Sequence, residues 1–164
     1  MQNEAAFTLI ELMVTVAIAV VIAALAVPAY QGLVGGQRAR SQANELVTAM
    51  SVARSEALQR PNDVELCAST NGSSCSNNSG DWVQSWVVQE VGTGDVIRSW
   101  DVSDGVNINT NAARITFNRN GEVTGPSATP TFDVFSPGCK GDETRVVDIN
   151  SSGQVSVTLD NSQC

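Results

Sequence analysis

Three sets of residues in this chain have types and spacings that could do chemistry. The first is a single acid, Glu11, near the start of an otherwise apolar run from Phe7 to Val27. A carboxylate at bilayer depth costs about 3 kcal/mol even on insertion scales, less for acids near a helix end. A cut between Ala6 and Phe7 would answer it, because the new α-amino group on Phe7 would lie one helical turn from the carboxylate. In a low-dielectric medium an ammonium and a carboxylate attract strongly, and a matched pair offsets much of the cost of burying both. If the amine belongs to a neighbouring copy, Glu11 becomes a device that fixes subunit register.

The second set is Cys67, Cys75, Cys139 and Cys164. None forms a C-x-x-C pair, and the chain has no histidine to complete a zinc site. An even count beyond an apolar segment reads as two disulfides in an oxidising compartment. Of the connectivities available, proximity in sequence favours Cys67–Cys75 and Cys139–Cys164; four reduced thiols in a cytosolic protein are the alternative. The third set is Arg114, Arg119, Lys140 and Arg145, the basic residues that follow Arg98. They are scattered, and the chain carries Lys+Arg 9 against Asp+Glu 17, a net charge of −8. No field covers the surface to draw in nucleic acid, which is not expected as a partner.

Catalysis is not expected. Without histidine there is no Ser-His or Cys-His pair, and neither a P-loop nor a G-x-G-x-x-G is present. Asp142 and Glu143 are adjacent, so on a strand they point apart. The acidic loop Asp101–Asp104 lacks the ligand spacing of an EF-hand, and the Asn71-Gly72-Ser73 sequon sits in a Ser/Asn/Gly run. The expectation is no enzyme, no cofactor and no metal.

These residues depend on three elements for their positions. Leu12 to Val27 has Thr15 as its only polar member, and Phe7 to Val27 is long enough to cross ~30 Å of hydrocarbon at ~1.5 Å per residue. A buried helix of a soluble protein would need apolar partners on every side, which the remaining Ser/Asn/Gly-rich chain does not supply. A cleaved secretory signal ending at Ala24-Leu25-Ala26 is a second reading, opposed by a leader, MQNEAA, without Lys or Arg. A retained anchor with a short leader removed before it is the third. After Pro28 the pattern becomes one-sided: Ala39, Ala43, Leu46, Met50, Ala53 and Ala57 form one face of a helix running to Arg60. Glu56 and Arg60 make an i,i+4 pair before Pro61, and Pro28 with Gly32, Gly35 and Gly36 forms a soft joint.

From Asp63 onward short β-rich runs alternate with turns, predicting an antiparallel sheet. Strands are expected at Val64–Ala68, Trp82–Glu90, Val96–Val102, Arg114–Asn118, Glu122–Thr124, Thr131–Phe135, Thr144–Ile149 and Gln154–Leu159. Asn120-Gly121 and Ser151-Ser152-Gly153 are expected hairpin turns. Ser69–Gly80 is expected as an exposed loop stapled by Cys67–Cys75, and Trp82, Trp86 and Trp100 as core residues of the sheet. The fold class is α+β.

The stretch AAFTLIELMVTVAIAVVIAALAVPAY resembles the N-terminus of type IV pilins and type II secretion pseudopilins. ARSEAL (Ala53–Leu58), FNRNGEVTG (Phe117–Gly125) and RVVDINSSGQVSV (Arg145–Val157), in that order, resemble the GspH/FimT family of minor pilins and pseudopilins. The resemblance implies a prepilin leader over residues 1–6, a transmembrane and filament-core helix over 7–27, its amphipathic second half over 28–60 and a periplasmic β-rich head over 61–164. A prepilin peptidase would cut between Ala6 and Phe7 and N-methylate Phe7, where the family has glycine before the cut and a basic leader. Phe7, Glu11 and Pro28 would then serve assembly, Pro28 falling where the family's helix kinks. The expected role is a structural, assembly-priming subunit, single-pass in a bacterial inner membrane. Its partners would be other major and minor pilins or pseudopilins of a type IV pilus or type II secretion pseudopilus. Some FimT-like pilins bind DNA in natural transformation through a C-terminal arginine-rich region. That is the alternative, weakened here because no arginine follows Arg145.

Overall fold

The computed structural model describes residues 8–125, 129–137 and 144–160, with the backbone alone at 28, 29 and 31. Two compact units divide the chain, Met1–Val34 and Gly35–Cys164. Helix α1, Leu9–Ala57, supplies the described part of the first unit after Thr8 and opens the second. Pro28 and Gly32 both lie within α1, which neither interrupts.

In the first unit the apolar residues Leu9 to Val27 are exposed throughout, Leu9 at 76% and Val27 at 54%. Nothing among the described residues covers them. In the second unit, the face predicted from spacing is the face that is buried. Ala39, Ala43, Leu46, Met50, Ala53 and Ala57, joined by Ala49, are all sealed from solvent. Four of the six predicted positions are alanine, so the helix axis can lie close to the strands beneath. Burying Leu46 and Met50 contributes roughly 1.5–3 kcal/mol each. Gly35 serves the same closeness: a Cβ there would come within 2.7 Å of the Ser136 hydroxyl. Packing gives this glycine a reason independent of any joint.

Among the described residues, nine strands form two antiparallel sheets. The first has the order β3 (Val96–Asp101), β2 (Ser85–Glu90), β1 (Val64–Ser69), β5 (Arg114–Phe117), β6 (Val123–Thr124). The second has the order β4 (Asn107–Thr110), β7 (Thr131–Phe135), β8 (Thr144–Ile149), β9 (Val155–Asp160). Alternation sends Val64, Leu66, Trp86, Val88, Ile115 and Phe117 from the first sheet into one core with Ile108, Phe132, Val134, Val147 and Ile149 from the second. Trp82 joins the two: its ring is 4.9 Å from Phe132, edge to face, and 6.2 Å from Trp86. Its indole N–H donates to the Ala112 carbonyl at 2.8 Å.

The hairpin turns fall where Asn-Gly and Ser-Ser-Gly predict them, closed by Gly121 N–H to Asn118 O and Gly153 N–H to Asn150 O, both 2.9 Å. Two expected bounds are corrected, and one strand is added. Trp82–Glu90 is not one strand, because Asn78 caps a 3-10 helix over Ser79–Val83 by accepting from Gly80 N–H at 3.0 Å, and β2 starts only at Ser85. Strand β4 was not foreseen, since NINT offers a single apolar residue and pairs only through its distant partner β7. The helix ends at Ala57, not Arg60, although the Glu56–Arg60 pair forms at 2.7 Å and gains Glu90 at 3.1 Å. Of the three tryptophans, Trp82 and Trp86 are fully buried while Trp100 is half-buried on edge strand β3 beneath Arg98.

Candidate functional site

Two places carry the polar groups that sequence analysis singled out. The first is the start of α1. Thr8 stands just before the helix, and its hydroxyl accepts from Glu11 N–H at 3.3 Å. In return the Glu11 carboxylate accepts from Thr8 N–H at 3.1 Å and from the Thr8 hydroxyl at 3.0 Å. This is a capping box, in which two helix-end donors are satisfied reciprocally. The acid also faces the positive end of the helix dipole. Both bonds go to the same oxygen, Oε2, which leaves Oε1 for a further cation. Ala6 and Phe7 lie outside the described residues. Thr8 was missed, although T-x-x-E ahead of an apolar run is the sequence signature of this motif.

The second place is the face of the first sheet turned away from α1. Every residue of β1 is buried, so both its faces are covered. On the outer face Cys67 is bonded to Cys75, with Cα atoms 5.5 Å apart, as sequence proximity favours. The loop that carries Cys75 is further tied by Ser76 N–H to Ala68 O at 2.7 Å. Beneath it Glu65 is buried, accepting from Gln89 at 2.8 Å and Arg114 at 3.0 Å. Arg114 also donates to Asn77 in the loop. The loop is therefore a cover and not only an exposed excursion. Asn71 spends its side chain inside it, accepting from Ser73 N–H and Ser74 N–H. Cys139, Cys164, Lys140, Asp142 and Glu143 lie outside the described residues.

With this geometry in hand, the comparisons are specific. Residues 42–153 match the family described as Type II transport protein GspH. The chain belongs to the GspH family. Residues 1–27 also match the prokaryotic N-terminal methylation motif. The type IV minor pilin FimU of Pseudomonas aeruginosa shares the fold at 23% identity and TM-score 0.58, over 73% of this chain and 91% of that one. The minor pseudopilin EpsH of the Vibrio cholerae type 2 secretion system does so at 13% identity and TM-score 0.54, over 74% and 97%. No curated protein sequence matches.

The GspH-family match opens at Gln42, a residue that sequence reading passed over. Gln42 sits on the buried face of α1 with 1% exposure, where its carbonyl accepts from Ser103 N–H at 2.9 Å and its amide donates to Glu45 at 2.9 Å. It pins the chain after β3 to the helix, and Arg38 adds a bond to the Asp104 carbonyl at 3.2 Å. The GspH fold does not gather the arginines weighed for DNA. Arg114 lies on the first sheet, engaged by Glu65, and Arg145 on the second, with no basic residue of β7, β8 or β9 beside it. DNA binding gains no support.

Proposed function

We propose that this GspH-family chain is a minor pilin or pseudopilin, a structural subunit that primes assembly of a type IV pilus or type II secretion pseudopilus. The observation that carries the reading is the exposed apolar run Leu9–Val27, long enough to cross a membrane and without cover from the described residues. Such a surface must be met by lipid or by the same helices of neighbouring subunits. The methylation motif over residues 1–27 supports a processing step, in which a prepilin peptidase cuts between Ala6 and Phe7 and methylates the Phe7 amine.

In this reading the helix first anchors the chain in the inner membrane with residues 61–164 in the periplasm, and then enters a filament core. Thr8 holds Glu11 in place through Oε2, and Oε1 meets the Phe7 amine of a neighbour. Pro28 lets the helix adjust during packing. The role is mechanical, and no reaction is assigned. Cys139 and Cys164 are proposed as the second disulfide: Thr144 and Asp160 face each other across β8–β9, and the two cysteines lie five and four residues beyond that pair.

Intact-mass and N-terminal analysis of the membrane-extracted chain tests this directly. The expected product begins with N-methylated Phe7. A chain starting at Val27, or retaining Met1 in assembled filaments, refutes it.

A further inference from the structure

The four-stranded sheet ends on β9, which pairs with β8 alone among the described residues. An open edge offers a row of backbone donors and acceptors to another strand. Edge strand β3 of the other sheet is guarded by Arg98, Asp101 and a register shift at Val88/Gln89. From Val155 to Leu159, β9 has no charge, proline or glycine, and its register with β8 is unbroken.

Two further observations indicate what would pair there. Val155, Val157 and Leu159 point to the core side, opposite Ile149, Val147 and Arg145. Yet Val157 is 44% and Leu159 55% exposed, while Val147 and Ile149 are buried. Among the described residues, β8 is covered on this side and β9 is left partly uncovered. Beside it runs a groove of about 990 Å³ whose lining mixes Val47, Met50, Leu58, Ile149 and Val155 with polar residues that include Arg54 and Gln154. An added strand would lay alternate side chains against Leu159 and Val157 and into this groove. On the opposite face the sheet presents Asp133 and Asp148 with no basic residue from β7, β8 or β9. Burial, followed by the charges of Asp160 and Asp148, pushes the Asp133 carboxyl up. Only the short Ser156 and Thr158 would separate an added strand's outer residues from Asp148.

We propose that β9 accepts an extended segment from a neighbouring subunit, its apolar residues turned to the groove and alternating with lysine or arginine on the outer face. The inference rests on the filament reading for the source of the segment. A second copy of β9 is the wrong occupant, because it brings no cation to face Asp148.

The test uses the full chain in phosphatidylcholine nanodiscs and a labelled heptapeptide alternating Val and Lys, with empty nanodiscs as baseline. Saturable binding is expected, weaker by roughly tenfold or more, about 1.4 kcal/mol, for three comparisons. These are a Val/Glu peptide, a Val/Lys peptide N-methylated at alternate amides, and the T158K chain. Equal binding of the N-methylated peptide would mean the groove acts without strand addition. Absence of binding above the baseline, or self-association that the peptide disperses, would likewise overturn the proposal. No filament enters this assay, so its failure leaves the Phe7 result standing.

Discussion

Replacing Gly153 by Ala isolates the contact that joins the two sheets at the far end of α1. Gly153 closes the β8–β9 turn at φ +74, in the left-handed region. A non-glycine residue there costs roughly 1–2 kcal/mol. The second cost is steric, because a Cβ would overlap the Gly121 carbonyl of the β5–β6 turn and come within 3.1 Å of Arg54 Nε. The turns must part. Arg54 holds this corner by donating to Gly153 O at 3.1 Å and Ser152 O at 2.9 Å, and Val123 N–H bonds Ser151 O at 2.9 Å. Losing one charge-assisted bond adds about 1.5–3 kcal/mol, so the total is about 2.5–5 kcal/mol. Against a typical stability of about 5–15 kcal/mol that is a large fraction. Gly94→Ala is the control: its φ is +73, and nothing lies within 4 Å of its added Cβ. Urea unfolding of the full chain in nanodiscs, followed by tryptophan fluorescence, should show Gly94→Ala losing only the conformational part. If the two variants lose the same stability, the corner contact contributes nothing and the reasoning is wrong.

The remaining predictions concern the two polar sites and the acidic face. Glu11→Ala should still be cut and inserted but be depleted in sheared filaments; wild-type incorporation would remove the registry role. Thr8→Val should weaken the helix start by about 1 kcal/mol while Phe7 is still methylated, read by hydrogen exchange over residues 8–14. Cys75→Ser should lower stability by roughly 2–3 kcal/mol for a loop of this length, with sequence separation 8, and reductant should then have no further effect attributable to this bridge. Asp133 has a carboxyl pushed up by burial and by Asp160 and Asp148, so the folded state binds its proton more tightly than the unfolded state does. Its contribution is thus fully present below the ordinary carboxylate range and lost as pH rises through the folded value. Asp133→Asn should raise the melting temperature at pH 7 and lose that advantage in acid; an equal gain at both pH values would exclude the electrostatic cause.

Much of the candidate site was legible because its signals are local. An apolar run with one acid, a one-sided alanine stripe and turn residues at hairpin spacing are read from neighbours within a few positions. Seven of the eight expected strands were found within a residue of their predicted bounds; the miss at Trp82 came from Asn78, whose cap outweighs the β preference of Trp82 and Val83. Strand β4 was invisible because a four-residue polar strand is made by its partner. Thr8 was legible and overlooked.

The sequence by itself determined that this chain has a membrane-grade helix with an acid at its start, a β-rich remainder and a nearby cysteine pair. These come from hydropathy, period and short separations, which need no knowledge of the fold. Only the tertiary structure decided that Glu65 is buried beneath the Cys75 loop, that Arg54 bonds the β8–β9 turn, and that β9 pairs with β8 alone among the described residues. Each depends on which strands become neighbours, and Arg54 and Gly153 are 99 positions apart. Pairing over such distances is set by the packing of the whole core, which no local pattern encodes.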